Sequence, residues 1–157
     1  MANVTKDSAS QVSSYMTAIW NNFDNGSKSL EHYADVITAL GAATASSSAE
    51  IAAGLEKFAS IGKTIGLSYD YATSALATIV SNTRQSAEVV GNGLRTIFSR
   101  LQGLSLGETL EDGVNLNKYS KALQSVGISI LDTSGQMKSM DTILDSLAAK
   151  WDKLSAA

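Results

Sequence analysis

The chain has 157 residues, of which 44% are apolar and 17% are charged, and its formal net charge is −3. This is enough apolar material for one core, so we expect a single domain over residues 1–157, and the overall charge does not favour binding to nucleic acid or anionic lipid. The absence of cysteine and the presence of one histidine exclude disulfides and thiolate metal sites and nearly exclude a His-rich zinc site, so we expect no metal and no cofactor.

The N-terminal quarter predicts two amphipathic helices. Residues 12–23 carry apolar side chains at the i, i+3, i+4, i+7 spacing, and the pattern stops at the turn sequence Asp-Asn-Gly-Ser. Residues 30–40 repeat the spacing and end at Gly41. No basic segment followed by an apolar run opens the sequence, and no run approaches the roughly 18 apolar residues of a membrane span. We therefore expect neither a signal peptide nor a membrane segment in this chain.

Serine residues mark the starts of the next two helices. Ser47 is followed three residues later by Glu50, which is the spacing of a capping box, so a third helix should begin there and bury Leu55 and Phe58. Ser68 precedes a fourth apolar pattern and can cap it. Proline is absent from the whole chain, so glycine and short polar residues must supply the breaks between helices.

The C-terminal half predicts further helices and one change of pattern. Residues 83–102 read as a fifth helix, and residues 103–114 read as an exposed connection that is rich in glycine and acid. A sixth helix should start at Asn115. Two short apolar runs around Asp-Thr-Ser-Gly predict a small β-hairpin near residues 128–138, and Asp141 can cap a last helix.

The predicted fold is therefore mainly α, a compact bundle of about seven short helices with this small hairpin. The last helix should carry on one side the apolar residues that recur at helical spacing, namely Ile143, Leu144, Leu147, Trp151 and Leu154. No heptad pattern is sustained for several repeats, which argues against a coiled-coil rod.

Two groups of side chains are candidates for catalysis. Glu108, Glu111 and Asp112 lie close together, and a helical muramidase could use one of these carboxyls as its acid. A general acid needs a buried or apolar setting to raise its pKa, and this stretch reads as an open loop, so we expect no catalysis there. His32 has no nucleophile motif near it and reads as a helix surface residue.

The three arginines of the chain all fall between residues 83 and 102 and raise the question of nucleic-acid binding. On a helix, Arg84 and Arg95 lie at about 120° and 140° from Val90, whereas Arg100 lies at about 280°. They therefore do not form one basic face, and no aromatic platform or second basic run supports a nucleic-acid site. Arg84 is also four residues from Glu88, at the spacing of a helical ion pair.

Five motifs in a fixed order give the sequence a resemblance to a known family. They are TRQSAEVVG from residue 83, RTIFSRLQGL from residue 95, GETLEDG from residue 107, LNKYSKAL from residue 116 and MDTILDSLAAKW from residue 140. The sequence resembles the internal domain of tail tape measure proteins from long-tailed phages and prophages, especially those of Gram-positive hosts. The resemblance is strongest over the last three-fifths of the chain.

The fifth helix carries the clearest part of this resemblance, and we call its family-like positions the signature positions. They are Arg84, Gln85, Ser86, Val90, Gly91, Gly93, Leu94, Ile97, Phe98, Arg100 and Leu101. Their apolar members form one stripe, and the two glycines flank it where a missing side chain would let a neighbouring helix approach. We interpret this helix as a packing helix.

The resemblance implies a non-enzymatic structural protein of the virion. Such a protein lies inside the phage tail, is present in the host cytoplasm during assembly, takes part in tail length determination and tail assembly, and leaves ahead of the genome at ejection. Its implied partners are other copies of itself, the tail tube protein and tail assembly chaperones. Family members are much longer, so we expect this chain to be a fragment of a longer protein. The alternatives are the helical muramidase and a secreted helical adaptor that binds a protein partner.

Overall fold

A computed structural model describes residues 8–44, 46–106 and 117–154. Within those ranges it contains eight helices, no regular strand and one isolated antiparallel bridge. The helices are α1 (Ala9–Phe23), α2 (Leu30–Ala43), α3 (Ser48–Thr64), α4 (Tyr69–Thr83), α5 (Ala87–Leu106), α6 (Asn117–Ser125), α7 (Met140–Ala148) and α8 (Trp151–Leu154). The prediction of a mainly α fold is confirmed.

Serine caps begin the helices, largely as the sequence predicts. The backbone N–H of Glu50 donates to Ser47 Oγ at 3.2 Å and the N–H of Ser47 donates to the Glu50 carboxylate at 2.8 Å, so the predicted capping box is confirmed. Ser68 caps α4 by accepting from the backbone of the third residue on. The prediction for the last helix was wrong, because Ser139 and not Asp141 is the N-cap of α7.

The described helices belong to two compact units, and the first comprises α1 to α4 together with α5 as far as Thr96. Helix α3 is its centre, since it contacts α1, α2 and α4. Large side chains from four helices are fully buried here, namely Ile19, Tyr33, Ile37, Ile51, Leu55, Phe58 and Leu76. Burying side chains of this size supplies the main stabilisation of the unit.

Two tyrosines tie α1, α2 and α4 together inside the first unit. The Tyr33 hydroxyl donates to the Phe23 carbonyl at 3.0 Å, and the Tyr69 hydroxyl donates to the Tyr33 carbonyl at 2.5 Å. The two tyrosine rings meet edge to face, with centroids 4.5 Å apart. Burial raises the pKa of Tyr69 well above the usual tyrosine value, so this hydroxyl stays a hydrogen-bond donor at any physiological pH.

The second unit comprises residues 65–67 and the described residues from Ile97 onward. The backbone N–H of Met140 donates to the Ile65 carbonyl at 3.0 Å, which attaches the start of α7 to the short segment between α3 and α4. Its buried apolar residues include Ile65, Leu67, Phe98, Ile128, Ile130, Met140 and Ile143.

The predicted hairpin is reduced to a single bridge between Leu131 and Met137. The reason is local, because one carboxylate oxygen of Asp132 accepts from the backbone N–H of Ser134 at 2.8 Å and from that of Gln136 at 2.9 Å. These bonds stabilise a tight turn. They also occupy the backbone N–H of Gln136, which a longer β-ladder would use as a donor.

The predicted last helix is interrupted after Ala148, and this corrects the expectation for Trp151. That side chain is 61% exposed and does not lie on a buried stripe. The break coincides with a turn in which the Lys150 N–H donates to the Leu147 carbonyl at 3.1 Å. The Lys150 ammonium group in turn donates to the carbonyls of Val126 at 2.7 Å and Gly127 at 2.8 Å, which places a cation at the C-terminal side of α6.

Helix α5 continues to Leu106, so the first residues of the predicted connection at 103–114 are helical. The rest of that connection and the predicted helix start at Asn115 lie outside the described residues.

Candidate functional site

The signature positions begin before α5. Arg84 ends α4 in the left-handed conformation with φ of 58°. Ser86 accepts from the backbone N–H of Val89 at 3.3 Å, so it serves as the cap of α5. Arg84, Gln85 and Ser86 are all exposed. They form the junction between α4 and α5. The sequence pattern had placed these three residues inside the fifth helix.

Four signature positions on α5 are buried, and Leu101 is half-buried. The buried positions are Val90, Gly91, Leu94 and Phe98. Their spacing is that of one helical face, so α5 buries a narrow stripe along its length.

Glycine allows α3 and α5 to approach each other closely. A Cβ atom added at Gly91 would lie 2.2 Å from the carbonyl oxygen of Gly54 on α3, and a Cβ added at Gly54 would lie 2.4 Å from the carbonyl oxygen of Ala87. Real Cβ atoms do not approach backbone oxygens so closely, so only glycine fits at both positions. We call this contact the α3–α5 glycine crossing.

Two signature positions are exposed, which corrects the expectation that the whole stripe and both glycines pack against a neighbouring helix. A Cβ added at Gly93 would meet nothing within 4 Å, and Ile97 is 52% exposed. At 100° per residue, Ile97 lies about 20° and Gly93 about 60° from Val90, so both exposed positions are at one edge of the buried stripe. The buried face of α5 therefore leaves out one edge of the apolar pattern.

The arginines do not form a basic surface. Arg84 lies at the junction before α5. Arg95 and Arg100 are exposed on α5 and lie about 140° apart around the helix. The expected partner of Arg84 has another contact, because the Glu88 carboxylate pairs with the Lys57 ammonium group at 2.5 Å. This ion pair lowers the pKa of Glu88 and raises the pKa of Lys57, and it joins α3 to α5 beside the glycine crossing.

His32 has a structural partner in place of a catalytic one. Its Nε2 atom lies 2.8 Å from Oδ1 of Asp70, which links α2 to α4 at the surface. Its ring also contacts the rings of Tyr33 and Tyr69 edge to face, with centroids 6.0 and 6.4 Å away. These contacts are those of a helix-joining residue at the edge of an aromatic cluster.

The structure describes only some of the residues that could take part in catalysis or bind a metal ion. Glu108, Glu111 and Asp112 lie outside the described residues. Across the part of the chain that the structure covers, no three His, Cys, Asp or Glu side chains converge on a position that could hold a metal ion. None of the helices in the covered ranges combines the length and apolarity needed to cross a membrane.

Sequence reasoning missed the partner of the packing helix. Gly91 was identified as a site of close approach, but Gly54 was not, although it precedes Phe58 and Gly62 at intervals of four on the buried side of α3. The two small residues of that series, Gly54 and Gly62, on a buried helical face were the available signal.

The fold and these contacts define a helical structural module. Its buried signature positions are explained by the packing of helices. The sequence profile of the phage-related minor tail proteins matches residues 1–157, the entire chain. The chain belongs to this family and has a structural role in a phage tail. No solved structure was found to match it.

Proposed function

We propose that the chain is a domain of a longer tail tape measure protein that acts in tail assembly and genome ejection. The observation that carries this proposal is the full-length match to phage-related minor tail proteins, joined to the five ordered motifs between residues 83 and 151. In this proposal the domain resides in the interior of the tail in the virion and in the host cytoplasm during assembly. Its partners are other copies, the tail tube protein and tail assembly chaperones.

Helix geometry supports a module more than a ruler. A protein that measures length converts residues to distance at about 1.5 Å per residue when it is one continuous helix, so 157 residues would span about 235 Å. The helices of the first unit are 14 to 17 residues long apart from α5 and pack against one another. Each therefore spans only about 21–26 Å, and their lengths do not add along one axis. We infer that other parts of the parent protein set the tail length.

An in-frame deletion of this segment from the phage gene tests the proposal. The expected result is a fall in assembled tails or in infectious particles per assembled tail, because the deleted part is an assembly or ejection module. A parallel phage carrying Gly93→Ala, at a position with open space, controls for manipulation of the gene. Wild-type yields of assembled, infectious particles from the deletion phage would contradict the proposal.

The proposed role is non-enzymatic, and a wall-digestion assay tests that part separately. The full chain incubated with purified cell wall should release no soluble fragments. Release that Glu108→Gln or Glu111→Gln abolished would instead support the muramidase alternative.

A further inference from the structure

A short connection between two helices of the first unit carries two buried apolar side chains. Residues 65–67 join α3 to α4 in the chain, yet by their contacts they belong to the second unit. Ile65 is 3% exposed and Leu67 is 4% exposed, whereas connections between helices usually run over the surface. The burial of these two side chains therefore depends on residues of the second unit from further along the chain.

The cover over this connection includes the start of α7. The Met140 N–H donates to the Ile65 carbonyl at 3.0 Å, and the Met140 side chain is fully buried. A Cβ atom added at Gly66 would lie 3.5 Å from both Cα and Cβ of Ser139. Ser139 and Met140 belong to a segment, residues 126–150, that we call the strap. The strap therefore contacts the connection at its backbone.

The strap has little buried apolar surface to keep it closed. Its buried side chains are those of Ile128, Ile130, Met140 and Ile143. Helix α3 alone has eight buried residues. The one helix of the strap, α7, has nine residues, whereas α3 has 17, and helices as short as α7 are marginal in water without tertiary contacts. Regions with few buried contacts open at a lower free-energy cost than a well-packed core. The strap should therefore open more readily than the helices of the first unit.

We propose that the strap is a releasable cover, which opens while α1 to α4 stay folded and thereby exposes Ile65 and Leu67. The observation that carries this inference is that a connection between two well-packed helices is buried by a segment with few buried residues of its own. The protein then has a closed form and an open form, and a factor that binds the exposed connection would shift the population toward the open form. This inference does not rest on the proposed tail role.

Native-state hydrogen exchange on the full chain, followed by NMR at low urea concentrations, tests the order of opening. The N–H of Met140 donates to the Ile65 carbonyl and the N–H of Lys138 donates to the Ile130 carbonyl at 2.9 Å, so both amides report on the strap. Their protection factors should be at least about tenfold lower than those of Leu55 and Phe58 in α3, with a weaker dependence on urea. Equal protection and equal urea dependence in the strap and in α3 would overturn the proposal.

A substitution in the first unit separates local opening of the strap from unfolding of the whole chain. Gly91→Ala disturbs the α3–α5 glycine crossing, which lies within the first unit. It should lower the protection factors of the α3 amides by about 5- to 30-fold and leave those of Lys138 and Met140 unchanged, because the first unit is folded in both the closed and the open form. An equal fall in the strap and in α3 would show that the chain opens as one unit and would overturn the proposal.

A disulfide that locks the strap gives a second test, because the chain has no native cysteine. A Cβ at position 66 would lie 3.5 Å from Cβ of Ser139, which is within the range that a disulfide bridges. In a protein with Gly66→Cys and Ser139→Cys, oxidation should raise the protection factor of the Met140 amide at least about tenfold. The reduced form of the same protein is the matched control. Equal protection in the two forms, or failure of the disulfide to form, would count against a strap that closes over residues 65–67.

Discussion

The α3–α5 glycine crossing gives the most direct prediction about stability. In Gly91→Ala the new methyl group would stand 2.2 Å from the Gly54 carbonyl oxygen. The position of the methyl group is fixed by the backbone of α5, and the oxygen belongs to the backbone of α3, so neither can turn away as a flexible side chain would. Overpacking of this kind costs about 1–3 kcal/mol or more, whereas replacing a helical glycine by alanine contributes about 1 kcal/mol of helix propensity. The clash should therefore outweigh the propensity gain.

Gly93→Ala is the matched control, because it makes the same chemical change two residues further along the same helix. No atom lies within 4 Å of its added Cβ, so only the propensity gain of about 0.5–1 kcal/mol should remain. The two variants should move stability in opposite directions. Gly91→Ala should lower the free energy of unfolding by about 1–2 kcal/mol and the melting temperature by about 2–8 °C.

Tryptophan fluorescence during urea unfolding can measure the free energy of unfolding of the first unit, which contains the crossing. Trp20 lies in the first unit and Trp151 in the second, so a Trp151→Phe background leaves Trp20 as the reporter. Gly54→Ala should behave like Gly91→Ala, since its Cβ would stand 2.4 Å from the Ala87 carbonyl oxygen. If Gly91→Ala stabilised the protein as much as Gly93→Ala, the close crossing of α3 and α5 would be refuted.

Three further changes test single contacts. Tyr69→Phe removes the donor to the Tyr33 carbonyl and should cost about 0.5–1.5 kcal/mol in urea unfolding, and an unchanged midpoint would contradict that bond. The ion pair with Lys57 lowers the pKa of Glu88. Its contribution to the free energy of unfolding is therefore present above the unfolded-state pKa of glutamate and is lost as pH falls through the lower folded-state pKa. Glu88→Gln should make stability depend less on pH in that window, and a pH profile identical to that of the wild type would exclude the pair. Arg84→Gly should leave stability equal or higher, by up to about 1 kcal/mol, because the left-handed conformation favours glycine; a clear loss in thermal melts would show that the side chain is needed.

Features set by neighbours in sequence were predictable. The Ser47–Glu50 capping box and the Ser68 cap require only a few adjacent residues, and the structure contains both. The burial of Leu55 and Phe58 also follows from helical spacing. These features depend on local hydrogen bonds and on one apolar face, which a single sequence records directly.

Features set by distant partners were not predictable in the same way. Gly91 signals a close approach, but nothing near it in sequence identifies Gly54 as the other side of the contact. Ser139 and Asp141 are both acceptable caps, and the bond from Met140 to the Ile65 carbonyl accompanies the choice of the earlier one. In each case the observed local structure occurs together with a contact to a residue from another part of the chain, which the local sequence does not record.

The exposed candidate surfaces were harder still to predict. Ile97 belongs to the apolar pattern of α5 yet is 52% exposed, because the buried stripe leaves out the edge of the pattern on which it lies. The sequence shows that α1 has no charged residue. The groove that Trp20 and Leu30 line forms only because α2 lies beside α1. A sequence pattern shows which residues are apolar, whereas the packing of other helices decides which of them stay exposed.

The length of the tails made by the deletion phage tests the central claim most directly. Electron micrographs of tails from phage lacking this segment should show lengths close to wild type among the particles that assemble, because a folded module adds little to the measured distance. Tails shortened by about 1.5 Å for each deleted residue, or about 235 Å for the 157 residues, on otherwise viable phage would contradict the account and would show that this segment is part of the ruler.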